Sequence, residues 1–118
     1  GKIKNYRDLE VWKKGIKLVV DCYKITKSFP ADENMALEPN PQIRRIIPAN
    51  IAEGHERWYR KEFLRHLSIA YGSLAELETH LEIACQIKYI NKKTLEALTD
   101  QTQEIGKMVN GLRKSLKT

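Results

Sequence analysis

Three histidines, two cysteines and fifteen carboxylates are the side chains of this 118-residue chain that could move a proton, hold a metal or form a bond. His66 and His80 stand 14 residues apart. On one helix that is about 21 Å of rise, so they can share neither a metal nor a proton. Glu62 and Glu76 each precede a histidine by four, the spacing of ordinary pairing on a helix surface. A di-iron bundle would need inward glutamates and Glu-x-x-His on two helices, and neither His66 nor His80 has Glu three residues before it. The remaining histidine, His55, has no such partner pattern, and no hydroxyl residue sits in a nucleophile elbow. Cys22 and Cys85 form neither a CxxC pair nor a zinc spacing and read as two buried, reduced thiols. The expectation is a protein with no catalytic residue, no metal and no cofactor: not an enzyme.

A second constellation is electrostatic. Arg44, Arg45, Arg57, Arg60, Lys61 and Arg65 cluster in one third of the chain, with Trp58 and Tyr59 among them. Five of the six cations are arginine, whose planar fork suits bidentate contact with phosphate. The two aromatics can stack on unpaired bases. These eight residues are the candidate nucleic-acid-binding set. A competing reading gives the arginines to Glu53, Glu56 and Glu62 on a solvated face, or to salt bridges between subunits. At the other end of the chain Arg113, Lys114 and Lys117 are accounted for by positive charge at a helix C-terminus complementing the helix dipole, with an RNA-contacting tail as the lesser reading.

Composition bounds what can carry these residues. With 42% hydrophobic and 31% charged residues the chain is globular, and 118 residues make one domain, 1–118. The net charge of +6 is compatible with an anionic partner and does not prove one. It is unevenly spread: residues 43–66 hold six bases and three acids, residues 67–106 three bases and six acids. A head-to-tail ring needs two different, complementary patches on each subunit, and these two regions supply them. No apolar run approaches the roughly 20 residues of a membrane span, and the first residues lack the apolar core of a signal peptide. No membrane is expected as a partner, and the expected location is the cytoplasm.

Apolar spacing is helical nearly throughout. Leu9, Trp12, Ile16, Val19 and Tyr23 predict a helix over about 6–27, stopped before Pro30. Residues 30–42, with three prolines, read as a loop, and Pro41 can open a second helix over about 41–54 carrying Ile43, Ile46, Ile47, Ile51 and Ala52. Pro48 must kink or restart that helix, and Gly54 is a good stop. Phe63, Leu67, Ala70, Leu74, Leu77, Leu81 and Ala84 form a heptad seam in a helix over about 59–88. Gly72 lies inside it, where close approach of a neighbouring backbone would compensate its cost. Asn91 caps a fourth helix over about 92–116, with a seam of Leu95, Leu98, Thr102, Ile105, Val109, Leu112 and Leu116. Four striped helices with short connections predict an all-α fold: an antiparallel up-down four-helix bundle with a proline-kinked second helix. The third helix, about 45 Å long, makes it elongated.

Several stretches carry a resemblance. They are Leu-Glu-Val-Trp-Lys-Lys at 9–14, Gln-Ile-Arg-Arg at 42–45 and Ile-Pro-Ala-Asn-Ile-Ala-Glu-Gly at 47–54. Lys-Glu-Phe-Leu-Arg-His-Leu at 61–67 and Gly-Ser-Leu-Ala-Glu-Leu-Glu-Thr at 72–79 continue the series. Together they resemble the bacterial four-helix bundle proteins called 23S rRNA intervening-sequence proteins, over about residues 6–116. The resemblance implies a four-helix bundle that assembles as a homopentamer, without enzymatic activity, and with ribosomal RNA or another nucleic acid as its supposed partner. The chain departs from the pattern where Glu-Pro-Asn-Pro is inserted at 38–41, and where Tyr59 stands at the position of a capping Ser before the Lys-Glu-Phe block. The functional expectation is a basic scaffold that contacts nucleic acid. The alternative is a protein-interaction adaptor whose arginines serve ring assembly.

Overall fold

The computed structural model describes residues 3–27, 29, 43–57 and 59–117, without the side chains of Ile43 and Arg44. The proline-rich stretch at 30–42, with the expected helix opening at Pro41, therefore lies outside the described residues, as does Trp58. Among the described residues a 3-10 turn at Tyr6–Asp8 precedes four helices: α1 (Glu10–Thr26), α2 (Ile43–Glu56), α3 (Arg60–Gln86) and α4 (Lys92–Lys117). Among the described residues there is no strand. The molecule measures 44 × 23 × 23 Å, so the expected elongation is present. Its long dimension is close to the rise of α3, about 40 Å for 27 residues.

The two long seams bury as their spacing predicts. Leu67, Ala70, Leu74, Leu77, Leu81 and Ala84 of α3 and Leu98, Thr102, Ile105 and Val109 of α4 are buried. Phe63, Leu95, Leu112 and Leu116 pack half-buried against them. A fully buried Leu or Ile contributes about 1.5–3 kcal/mol over its exposed state, so these rows carry much of the stability. Asn91 caps α4, its Oδ1 accepting the Thr94 N–H at 2.8 Å. The sharp α3–α4 turn places Lys88 at φ 70°, and the Tyr89 N–H donates to the Ala84 carbonyl at 2.8 Å.

The first helix departs from its expected phase. Its buried stripe is Val11, Gly15, Leu18, Cys22 and Thr26, while Ile16, Val20 and Tyr23 are exposed. Of the predicted face, Leu9 is buried and Trp12 half-buried. The helix is apolar on two sides, and the side that faces inward holds small and polar residues which a hydrophobicity pattern passes over. Gly15 shows why: a Cβ there would stand 3.3 Å from the Pro48 Cβ, so α1 crosses α2 at its glycine. The helix also begins later than expected. Asn5 and Asp8 cap the 3-10 turn reciprocally, and Leu9 is extended before α1 starts. Neither cysteine is in a disulfide; Cys22 is buried and Cys85 only half-buried, against the expectation of two buried thiols.

Two glycines also differ from expectation. Gly54 does not stop α2, which runs through it to Glu56, and no described glycine has a positive φ. It is instead where α2 meets α3, within van der Waals reach of Phe63 and His66. A methyl group added at Gly72 would have no neighbour within 4 Å, so no backbone approaches this glycine closely. Gly72→Ala is therefore expected to raise stability by about 1 kcal/mol, the helix-propensity difference, measured as a higher urea midpoint.

The principal contacts run α1 to α2, α2 to α3, α3 to α4 and α4 back to α1, around a shared core. Polar links cross several of these seams. His66 Nδ1 lies 2.7 Å from Asn50 Oδ1, joining α3 to α2. The Thr102 hydroxyl of α4 donates to the Glu78 carboxylate of α3. Gln101 Nε2 of α4 donates to Asp21 Oδ2 of α1 at 2.9 Å, and Lys14 pairs with Glu104 at 2.8 Å.

Candidate nucleic-acid interface

Of the eight residues singled out in the sequence, the described ones are spread from the start of α2 to the second turn of α3. Trp58 and the Arg44 side chain lie outside the described residues. Arg45 sits near the start of α2, its guanidinium 5.2 Å from the centre of the Tyr23 ring. Twelve residues, about 18 Å of helical rise, separate it from Arg57. Arg57 Nη2 donates to Glu53 Oε1 at 2.8 Å, and this contact holds the Glu53 carboxyl below the usual carboxylate range and raises the guanidinium. Arg65 Nε donates to Glu62 Oε2 at 3.1 Å and lowers Glu62 in the same way. Two of the arginines are thus part-neutralised within the chain. These are exposed pairs, worth little individually.

Arg60 and Lys61 are exposed and, among the described residues, in no ion pair. They open α3, whose N-cap Tyr59 is extended (φ −100°, ψ 126°) and offers no side-chain hydrogen bond to the first turn. The missing capping serine noted in the sequence therefore has its structural counterpart. Tyr59 itself is 71% exposed.

The cations that converge come from two helices. A groove of about 590 Å³ is lined by Lys61, Arg65 and Ser68 of α3 and by Arg113 and Lys117 of α4, with Glu62 as its carboxylate. Arg113 is half-buried: its Nη1 donates to Asn110 Oδ1 at 3.0 Å and its guanidinium lies 5.4 Å from the Tyr71 ring centre. Among the described residues its Nε is buried without a hydrogen-bond partner. Four cations against one carboxylate make the groove a ready site for a polyanion. Sequence reasoning gives Arg113 and Lys117 first the role of complementing the helix dipole, with RNA contact by the tail as the lesser reading. The signal that points to them is the short α3–α4 connection, which returns the last turn of α4 to the first turn of α3.

On the other side of the same helix ends lies a pocket of about 350 Å³, lined by Tyr59, Arg60, Phe63 and Leu116, by His55 of α2 and by Lys4 of the N-terminal segment, among others. Among the described residues no three His, Cys, Asp or Glu side chains gather as a metal ion would require. No helix of the described residues is long and apolar enough to cross a membrane.

Four helices around one core, with cations collected where α3 begins and α4 ends, define an all-α protein built to present a charged end. The profile of the family described as 23S rRNA-intervening sequence protein matches residues 7–111, and the chain belongs to that family. A solved protein of unknown function, from the S23 ribosomal protein family of Bacteroides thetaiotaomicron VPI-5482, superposes with a TM-score of 0.75 at 24% identity. The alignment covers 88% of this chain and 98% of that one, and it speaks for the fold. No curated protein matches the sequence.

Proposed function

We propose that the protein is a non-enzymatic, cytoplasmic scaffold of bacterial type that holds nucleic acid, with ribosomal RNA as the first candidate from the family's name. The observation that carries this reading is the groove in which Lys61, Arg65, Arg113 and Lys117 face a single carboxylate. In this reading affinity comes from phosphate contacts and carries no base sequence, because the groove offers charge rather than a patterned set of donors and acceptors. The scaffold is read as an antiparallel up-down bundle, which the cyclic order of helix contacts and the short α2–α3 and α3–α4 links support, with a bend where Pro48 falls inside α2.

Anisotropy titrations with structured RNA, single-stranded DNA and duplex DNA over a range of salt test the reading. Binding should weaken steeply with salt. Lys61→Ala with Lys117→Ala, both exposed and free of ion pairs among the described residues, should weaken every nucleic acid by about tenfold and lower the salt slope by about 2. The oligomer should remain intact. No salt-sensitive binding near micromolar protein would abandon the reading.

A second reading, an interaction adaptor, has its own observation. Ile16, Val20 and Tyr23 of α1, Ile69 and Ile83 of α3 and its C-cap Ile87 are exposed. The two helices stand across the core from each other, each touching α2 and α4. Apolar surfaces on opposite sides suit a head-to-tail ring, with five copies by family resemblance. Ring assembly through these faces leaves the groove at the helix ends available, so a scaffold ring and a nucleic-acid ring are compatible.

A further inference from the structure

The pocket beside the cationic groove has a chemistry the groove lacks. Its walls come from the N-terminal segment, the last turn of α2, the first turn of α3 and the last turn of α4. Phe63 and Leu116, half-buried against the core, supply an apolar lining. Tyr59 stands at the opening with 71% of its surface in solvent, so a planar ligand could cover it without displacing another side chain. His55 meets Phe63 edge-on, with ring centres 5.6 Å apart at 85°. Among the described residues the His55 Nδ1 is buried without a hydrogen-bond partner; Oε2 of Glu56, in the same lining, is 3.5 Å away. A ligand with hydrogen-bonding edges would satisfy that nitrogen. Lys4 and Arg60 place positive charge around the same opening.

We propose that this pocket takes one unpaired nucleobase from a single strand whose phosphates run through the adjoining groove. The inference rests on the nucleic-acid reading and adds to it a preference for single strands. One strand can reach both features by wrapping the same helix ends: Arg60 lines the pocket and Lys61 the groove, about 100° apart around α3, and Leu116 and Lys117 divide in the same way on α4. A single strand can keep its backbone on cations while turning a base onto an aromatic face. A duplex holds its bases stacked inside and must first flip one out. A purely apolar ligand would leave the cations and the His55 nitrogen unused, and an inorganic anion would leave the aromatic lining unused.

Tyr59→Ser provides the test. Serine at an extended N-cap gains a bond to the first turn of α3, so the variant should melt no lower than the parent. Affinity for a ten-nucleotide single-stranded RNA should fall about tenfold, the usual order for one lost base stack. Affinity for the duplex of the same length, and the salt slope for both, should not change. Tyr59→Phe should keep single-strand affinity, because the ring and not the hydroxyl supplies the stacking. A 2-aminopurine in the strand should be quenched by the parent protein and by Tyr59→Phe, and not by Tyr59→Ser. Salt-sensitive binding that Tyr59→Ser leaves unchanged for single strands would overturn the pocket assignment and leave the groove standing. Absence of salt-sensitive binding to any nucleic acid would overturn both.

Discussion

Gly54→Ala is expected to destabilise the protein by about 3 kcal/mol, reversing the sign that helix propensity alone would give. A methyl group at this position would stand 2.6 Å from the His66 Cβ and 3.1 Å from the Phe63 Cδ1. The first of these atoms is bonded directly to the α3 backbone and cannot swing aside. His66 is also buried, and its ring is held by Asn50 at 2.7 Å. Relief therefore requires α2 and α3 to separate, with loss of packing between Ile51 and the α3 seam and of the Asn50 contact. For a chain of this size each kcal/mol is worth about 4 °C, so the melting temperature should fall by about 10 °C. Circular dichroism melts of Gly54→Ala beside Gly72→Ala make the comparison direct: one glycine marks a helix crossing, the other open surface. An unchanged midpoint for Gly54→Ala would show that the α2–α3 crossing is wider than these distances require.

Leu18→Ala is expected to cost about 2–5 kcal/mol, and Ile16→Ala less than about 1 kcal/mol in the monomer. Leu18 is fully buried, whereas Ile16 is 38% exposed. The ranking is opposite to the one obtained by placing Leu9, Trp12, Ile16, Val19 and Tyr23 on the inner face. Urea unfolding of the two variants at low protein concentration decides which side of α1 is covered. If Ile16→Ala were the costlier change, the helix would have to be rotated in its seat. At higher concentration Ile16→Ala should weaken self-association if α1 joins a neighbouring copy, which separates its folding role from its assembly role.

Local spacing is most informative where one face of a helix has no rival. In α4 the seam is bordered by charged residues, so Leu98, Ile105 and Val109 have only one way to bury; in α3 the unbroken heptad through Leu67, Leu77 and Leu81 outweighs the scattered Ile69 and Ile83. In α1 two apolar stripes compete, and the choice is made by Pro48 of another helix packing on Gly15. That contact spans more than thirty positions of chain and leaves no trace in local spacing. Gly54 and Gly72 escape a local reading for the same reason: what surrounds a glycine is decided by tertiary approach, and a residue without a side chain has no pattern of its own. At the site, Lys61 and Arg65 are legible because they sit among other cations. Arg113 and Lys117 are not, since their partnership with α3 depends on where a returning helix ends. Arg45 and Arg57 group together by nearness in sequence, although a helix of that length carries them to different heights.

Long smooth cylinders packed along greasy seams have a weakness: one can slide past another by a turn and still bury a similar area. The cross-links at Asn50–His66, Glu78–Thr102 and Asp21–Gln101 act against that slip, because a polar pair buried or half-buried out of register loses its partner. Gln101 and Thr102 are neighbours on α4, so two of the links tie α1 and α3 to one level of that helix, while Asn50–His66 ties α2 to α3 about 18 Å further along. The groove and the pocket are built from the ends of these helices. Their alignment is held from a distance, like jaws set by rivets further down the handle.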